Sequence, residues 1–148
     1  MIRGFFTRRG ARSRPFVDAT FSFLAPFVGT FRVPLLVDTG ADRTVIGPSD
    51  ASRLSRRLGI DLSTLPSGVP SRGVGGQQNT RTIQSTLAIG PFATALTLTI
   101  LDPGSSPFLA IPSLLGRDVT SRFALIVEER TNRVLLLDPQ EADALNLP

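Results

Sequence analysis

Apolar and polar positions alternate along much of this chain, and the alternation breaks where glycine and proline cluster. Thr20 to Leu24 and Gly29 to Val37 read as two strands rich in Phe, Val and Leu, separated by the turn-forming Ala25-Pro26-Phe27. The second becomes continuously apolar at Leu35-Leu36-Val37, as a strand buried on both faces does, and stops at Asp38-Thr39-Gly40. Thr44-Val45-Ile46 predicts a short strand. Ser49 or Asp50 can then cap a helix running to about Leu58, with Gly59 as its stop and Leu54 and Leu58 on its buried side. Leu62 to Pro70 predicts loop, and Arg72 to Gln77 a glycine-rich tip between extended arms. Thr80 to Ile89 and Ala93 to Leu101 alternate with period two around Gly90-Pro91, the pattern of a hairpin. Phe108 to Ile111 predicts one more short strand, a helix should begin near Arg117, and Phe123 to Val127 with Val134 to Leu137 predict a closing hairpin. The segment from Gln140 onward reads as peripheral.

Composition supports a β-rich domain and narrows the chemistry. The 148 residues suit one domain, and 13 Gly and 12 Pro beside 41% apolar residues favour sheets and turns over a helical bundle. With no Cys and no His, disulfides, thiolate nucleophiles, Ser-His-Asp catalysis and His- or Cys-ligated metals are all excluded. Carboxylates remain as the acid–base groups, and no metal or other cofactor is expected. The net charge of +4 comes from Arg3, Arg8, Arg9, Arg12 and Arg14, since the remaining eleven Arg face twelve acidic residues. The body therefore carries no phosphate-binding footprint, and no nucleic-acid partner is expected. Residues 1–14, basic and without acids, read as a disordered tail preceding a domain over 15–139. Deleting that tail is expected to leave the fold intact. No apolar stretch is long enough to span a bilayer, so neither a membrane partner nor an anchor is expected; the expected location is cytoplasmic, with export or organelle targeting by the basic N-terminus as the alternative.

The strongest chemical signal is Asp38-Thr39-Gly40-Ala41 directly after the buried strand, a carboxylate at the mouth of the core with a glycine that permits a tight turn. Alone, such a tripeptide is an ordinary turn in which Asp bonds its own backbone. Its company differs. Leu35-Leu36-Val37-Asp38-Thr39-Gly40-Ala41-Asp42 is followed by the glycine-rich Gly73-Val74-Gly75-Gly76 and then by Leu114-Leu115-Gly116-Arg117-Asp118. In that order the three motifs resemble the retropepsin family of aspartic proteases, over about residues 20 to 138.

The resemblance implies an all-β, closed-barrel-like fold with one or two short helices and half an active site per protomer. It implies that Asp38 is the catalytic carboxylate, that Thr39 bonds across a two-fold axis to its mate, and that Gly40 accepts substrate main chain. Ala41 and Asp42 would line the cleft beneath a flap carrying Gly73, Val74, Gly75 and Gly76. Arg117, paired with Asp42, and Asp118 would brace the catalytic loop. Arg117→Ala should destabilise the fold or dimer more than an ordinary surface arginine change, because it would strand Asp42 and loosen the loop, by about 3 kcal/mol if that pair is buried. Only one Asp-Thr-Gly occurs in the chain, so a complete pair of carboxylates requires a homodimer. The expected function is an aspartic endopeptidase acting on a peptide or protein substrate. The alternative is a non-catalytic dimerisation or peptide-binding module of the same fold. The helical segment after Asp50 and the Phe123 to Leu137 hairpin look longer than in the minimal viral enzymes, closer to cellular and bacterial relatives.

Overall fold

The computed structural model describes residues 1–9, 12–73, 76–104 and 110–146. Most of the chain forms strands. The first four are β1 (Ile2–Arg3), β2 (Phe5–Arg9), β3 (Arg12–Phe23) and β4 (Gly29–Val37). After the Asp38 loop come β5 (Val45–Ile46), helix α1 (Pro48–Leu58) and a 3-10 turn at Leu62–Thr64. A small hairpin, β6 (Ser71–Gly73) and β7 (Gly76–Gln78), precedes the long pair β8 (Thr80–Ile89) and β9 (Phe92–Leu101). The chain ends with β10 (Leu114–Leu115), α2 (Arg117–Thr120), β11 (Ala124–Glu128), β12 (Arg133–Leu137) and α3 (Pro139–Asp143).

The main sheet runs β2-β3-β4-β10-β5-β9-β8, and β8 returns to pair with β3. Six of its strands thus close into a barrel, which removes the exposed edges an open sheet would leave. Period-two patterning explains its interior. Val17, Ala19, Phe21 and Phe23 of β3 point inward, as do Phe31, Val33, Leu35 and Val37 of β4, with Asp18, Ser22 and Arg32 outside. Phe21 lies opposite Phe31 on one side and Leu87 of β8 on the other. Helix α1 covers part of this core with Ala51 and Leu54, and Gly59 ends it in the left-handed conformation (φ 65°). A second, three-stranded sheet, β1-β12-β11, packs its inward residues Ile2, Val134 and Leu136 against the barrel.

Several expectations require correction. Residues 1–14 are not a loose tail: β1 pairs with β12, β2 with β3, and β3 itself begins at Arg12. Ile2 is buried, and the Phe5 and Phe16 rings stack with centroids 6.2 Å apart. The apolar positions Ile2, Phe5 and Phe6 carry the segment into the fold, while Arg3, Arg12 and Arg14 are exposed. Helix α1 is capped at Gly47 with Pro48 in its first turn, so neither Ser49 nor Asp50 is the cap. Of the strand expected over Phe108 to Ile111, Phe108 and Leu109 lie outside the described residues, and Ala110 and Ile111 are irregular. Asp138 and Glu141 form a capping box that starts α3, a short helix running into the segment expected to be peripheral.

Candidate active site

The site is built where β4 leaves the barrel. Val37 pairs with Leu115, and the next N–H, that of Asp38, donates to the Leu115 carbonyl at 3.1 Å. This places Asp38 at the end of a strand paired along its length, half-buried, with Thr39 and Gly40 exposed beyond it. The Gly40 N–H donates to Asp38 Oδ1 at 2.9 Å, and the Ala41 N–H to the Asp38 carbonyl at 3.3 Å. One carboxylate oxygen is therefore fixed by its own loop.

The loop is tied to the Leu114-Leu115-Gly116-Arg117-Asp118 motif by backbone and side chains together. The Arg117 N–H donates to the Ala41 carbonyl at 2.8 Å, and the Asp118 N–H to that of Asp42 at 3.2 Å. Asp118 in turn accepts from Thr44 twice, from its N–H at 2.9 Å and its hydroxyl at 2.8 Å. The same hydroxyl accepts the Gly116 N–H at 3.2 Å. Gly116 is required for this contact, because a Cβ there would lie 2.3 Å from the Arg43 carbonyl carbon.

Arg117 pairs with Asp42, as the resemblance implies, but on the surface: the side chains are 62% and 76% exposed. The guanidinium hydrogen bond and charge of Arg117 hold the Asp42 carboxyl below its usual value. The buried fastening is the Thr44–Asp118 network, with Thr44 fully enclosed. Sequence reading placed Thr44 only as the start of a strand. A second network it missed centres on buried Ser113, which accepts the Gly47 N–H at 3.0 Å and donates to Asp50 Oδ2 at 2.7 Å. The sequence signal for both is a hydroxyl residue bordering a fully apolar pair, Val45-Ile46 in one case and Leu114-Leu115 in the other.

The glycine-rich segment forms the β6–β7 hairpin, in which Arg72 faces Gln77 and Gly73 faces Gly76. Gly76 has φ 114°, a conformation that favours glycine, while Val74 and Gly75 lie outside the described residues. Cavities of about 430 and 460 Å³ occur in the chain, and Asp38 lines neither. Asp38 is half-buried beside the exposed Thr39 and Gly40. Among the described residues, no group of His, Cys, Asp and Glu could hold a metal ion, and no helix is long and apolar enough to cross a membrane.

A closed β barrel that projects one Asp-Thr-Gly loop, backed by a Gly-Arg-Asp turn, defines a retropepsin-like protein. The chain belongs to the aspartyl protease family, whose model matches residues 26–119. Two solved structures are similar to it in fold. A retropepsin-like aspartic protease from Rickettsia conorii is 19% identical with a TM-score of 0.59, over 89% of this chain and 98% of that one. The EIAV protease complexed with the inhibitor HBY-793 is 20% identical with a TM-score of 0.52, over 78% of this chain and 92% of that one. No curated protein matches the chain.

Proposed function

We propose that the protein is an aspartic endopeptidase that works as a homodimer, with one Asp38 from each protomer. The observation that carries this reading is the setting of Asp38: the carboxylate of the chain's one Asp-Thr-Gly sequence, oriented by the Gly40 N–H and half-buried at the end of a buried strand. One carboxylate can take a proton from water but cannot also protonate the departing amine from the opposite side. Two Asp38 groups brought together by a two-fold axis supply both roles while sharing one proton. The ionised member draws a proton from the water that attacks the scissile carbonyl. The protonated member gives its proton to the carbonyl oxygen; as the tetrahedral intermediate collapses, the proton taken from water passes from the first carboxyl to the leaving nitrogen, the C–N bond breaks, and the re-forming carbonyl returns its proton to the other carboxylate. Exposed Thr39 would bond to its mate across the axis. Gly40, Ala41 and Asp42 would line the floor, and the hairpin of Gly73, Val74, Gly75 and Gly76 would close over an extended peptide added as a strand.

The test is incubation of wild type and Asp38→Asn with a diverse peptide library, followed by mass spectrometry, with and without a pepstatin-type inhibitor. Cleavage by wild type that the inhibitor blocks, and its loss by about a hundredfold or more in Asp38→Asn, is the expected result. A folded wild-type dimer that cleaves nothing in the library would leave a non-catalytic module of this fold.

A further inference from the structure

We propose that the cavity between the outer face of β8–β9 and helix α2, which Asp38 does not line, binds a small phosphate-bearing anion. The inference goes beyond the proteolytic reading and does not depend on it. Thr82 and Thr99 lie opposite each other on the two strands and both line this cavity of about 430 Å³, together with Arg43 from the loop after Asp38 and Arg122 just beyond α2. Thr99 is flanked on both sides, by Thr82 and by Val45 of β5, and is only 6% exposed, yet no side-chain hydrogen bond uses its hydroxyl among the described residues. An enclosed hydroxyl that meets a cavity and no protein acceptor is satisfied by what the cavity holds. The guanidiniums are equally uncommitted. Arg122 lies over the Phe92 ring at 5.7 Å and Arg43 touches Asp42 through charge alone, and neither enters an ion pair among the described residues. Both are exposed and able to close on a ligand. The acid that shares the cavity is Asp118, whose two oxygens already accept from Thr44 at 2.9 and 2.8 Å.

Donors in excess of free acceptors call for an anion. Guanidinium forks meet phosphate oxygens in pairs, and the threonine hydroxyls add donors from the strands. A phosphate monoester brings three acceptor oxygens and about two negative charges, enough to engage both arginines at once. A carboxylate has two oxygens and a single charge, and would leave donors unused. Half-buried Leu96 gives the organic part of an ester an apolar contact. Composition conceals the site, because acids balance arginines over the body as a whole while these two stand without one. Its position also joins it to the fastening of the Asp38 loop. Arg43 lies between Asp42 and Thr44, both bonded to Asp118, and the Arg122 N–H donates to the Val119 carbonyl at 3.1 Å at the end of α2. An anion held by both arginines would tie the loop to the helix once more, so binding should stabilise the fold.

The test uses the full chain with glycerol 3-phosphate, inorganic phosphate and acetate at constant ionic strength. In calorimetry the wild type should bind a phosphate-bearing probe saturably, and its urea midpoint should rise with that probe. Arg43→Gln and Arg122→Gln, both at exposed side chains, should each weaken binding by about tenfold or more. Arg56→Gln on α1 removes the same charge elsewhere and should leave binding unchanged. Thr99→Val should keep the wild-type urea midpoint in probe-free buffer, since its hydroxyl bonds nothing in the protein, and should weaken binding too. Tighter binding of glycerol 3-phosphate than of inorganic phosphate would identify an ester as the source of the group, and the reverse order the free ion. Absence of saturable binding would overturn the site. So would acetate bound as tightly as phosphate, or binding that all three cavity variants retain, which would mean an adventitious ion only.

Discussion

Thr44 and Asp118 lie 74 residues apart in the chain and meet beside the Asp38 loop. Because Thr44 is fully buried, Asp118→Ala would leave its N–H and hydroxyl without their acceptor, at a cost of about 1–3 kcal/mol. We expect the urea midpoint to fall accordingly, whereas Arg117→Ala should shift it no more than other exposed arginine changes do. That reverses the sequence-based expectation for Arg117, because its pair with Asp42 lies exposed. The pair does leave a pH signature. Asp42 is held below its ordinary value of 3.8, so whatever stability it contributes is fully present above that pH and is lost as pH falls through the lowered folded value. Stability curves of wild type and Arg117→Ala should therefore converge in acid and separate above about pH 4. Asp38, Gly116 and Arg117 are visible in the sequence because their residue types carry the chemistry or the backbone geometry. The Thr44 and Ser113 networks are marked only by a hydroxyl residue beside an apolar pair, which hints at burial but does not name the distant partners Asp118 and Asp50.

At the scale of elements, the long hairpin β8–β9 and the strand β4 were legible because each alternates or runs apolar over nine or ten residues, more than a chance pattern sustains. The N-terminal strands were not. In β2 two Phe precede two Arg, and the charge of residues 1–14 masks an apolar anchor every few positions. The structure makes the deletion experiment come out differently from a tail's. Removing residues 1–9 would uncover Val134 and Leu136 where Ile2 covers them, break the Gly4–Val134 hydrogen bond and strip β2 from β3. Burial of the Ile2 side chain alone contributes about 2 kcal/mol. The truncated chain should show a clearly lower urea midpoint at unchanged Asp38 loop sequence. A midpoint equal to wild type would return the segment to the status of a tail.

At the scale of the whole molecule, the barrel closes within one chain and the Asp38 loop is fastened to it, whereas the site, on the proposed reading, is completed only by a second chain. If catalysis needs two such carboxylates, activity should depend on the pair and not on the number of Asp38 groups present. Two protomers fused in one polypeptide allow this to be measured, with wild-type Asp38 in one half and Asp38→Asn in the other. The fused dimer should fold and bind a peptide inhibitor yet retain at most about one per cent of the activity of a fused wild-type pair, the loss expected when one member of an acid–base pair is removed. Dilution of the unfused enzyme through its dissociation range should lower the rate more steeply than in proportion to concentration, while the fused wild type should follow proportionality. About half the wild-type rate in the mixed fusion would mean that each protomer holds a complete site. Another acidic group of the same chain, Asp42 or Asp118 beside the loop, would then have to serve as the second carboxylate.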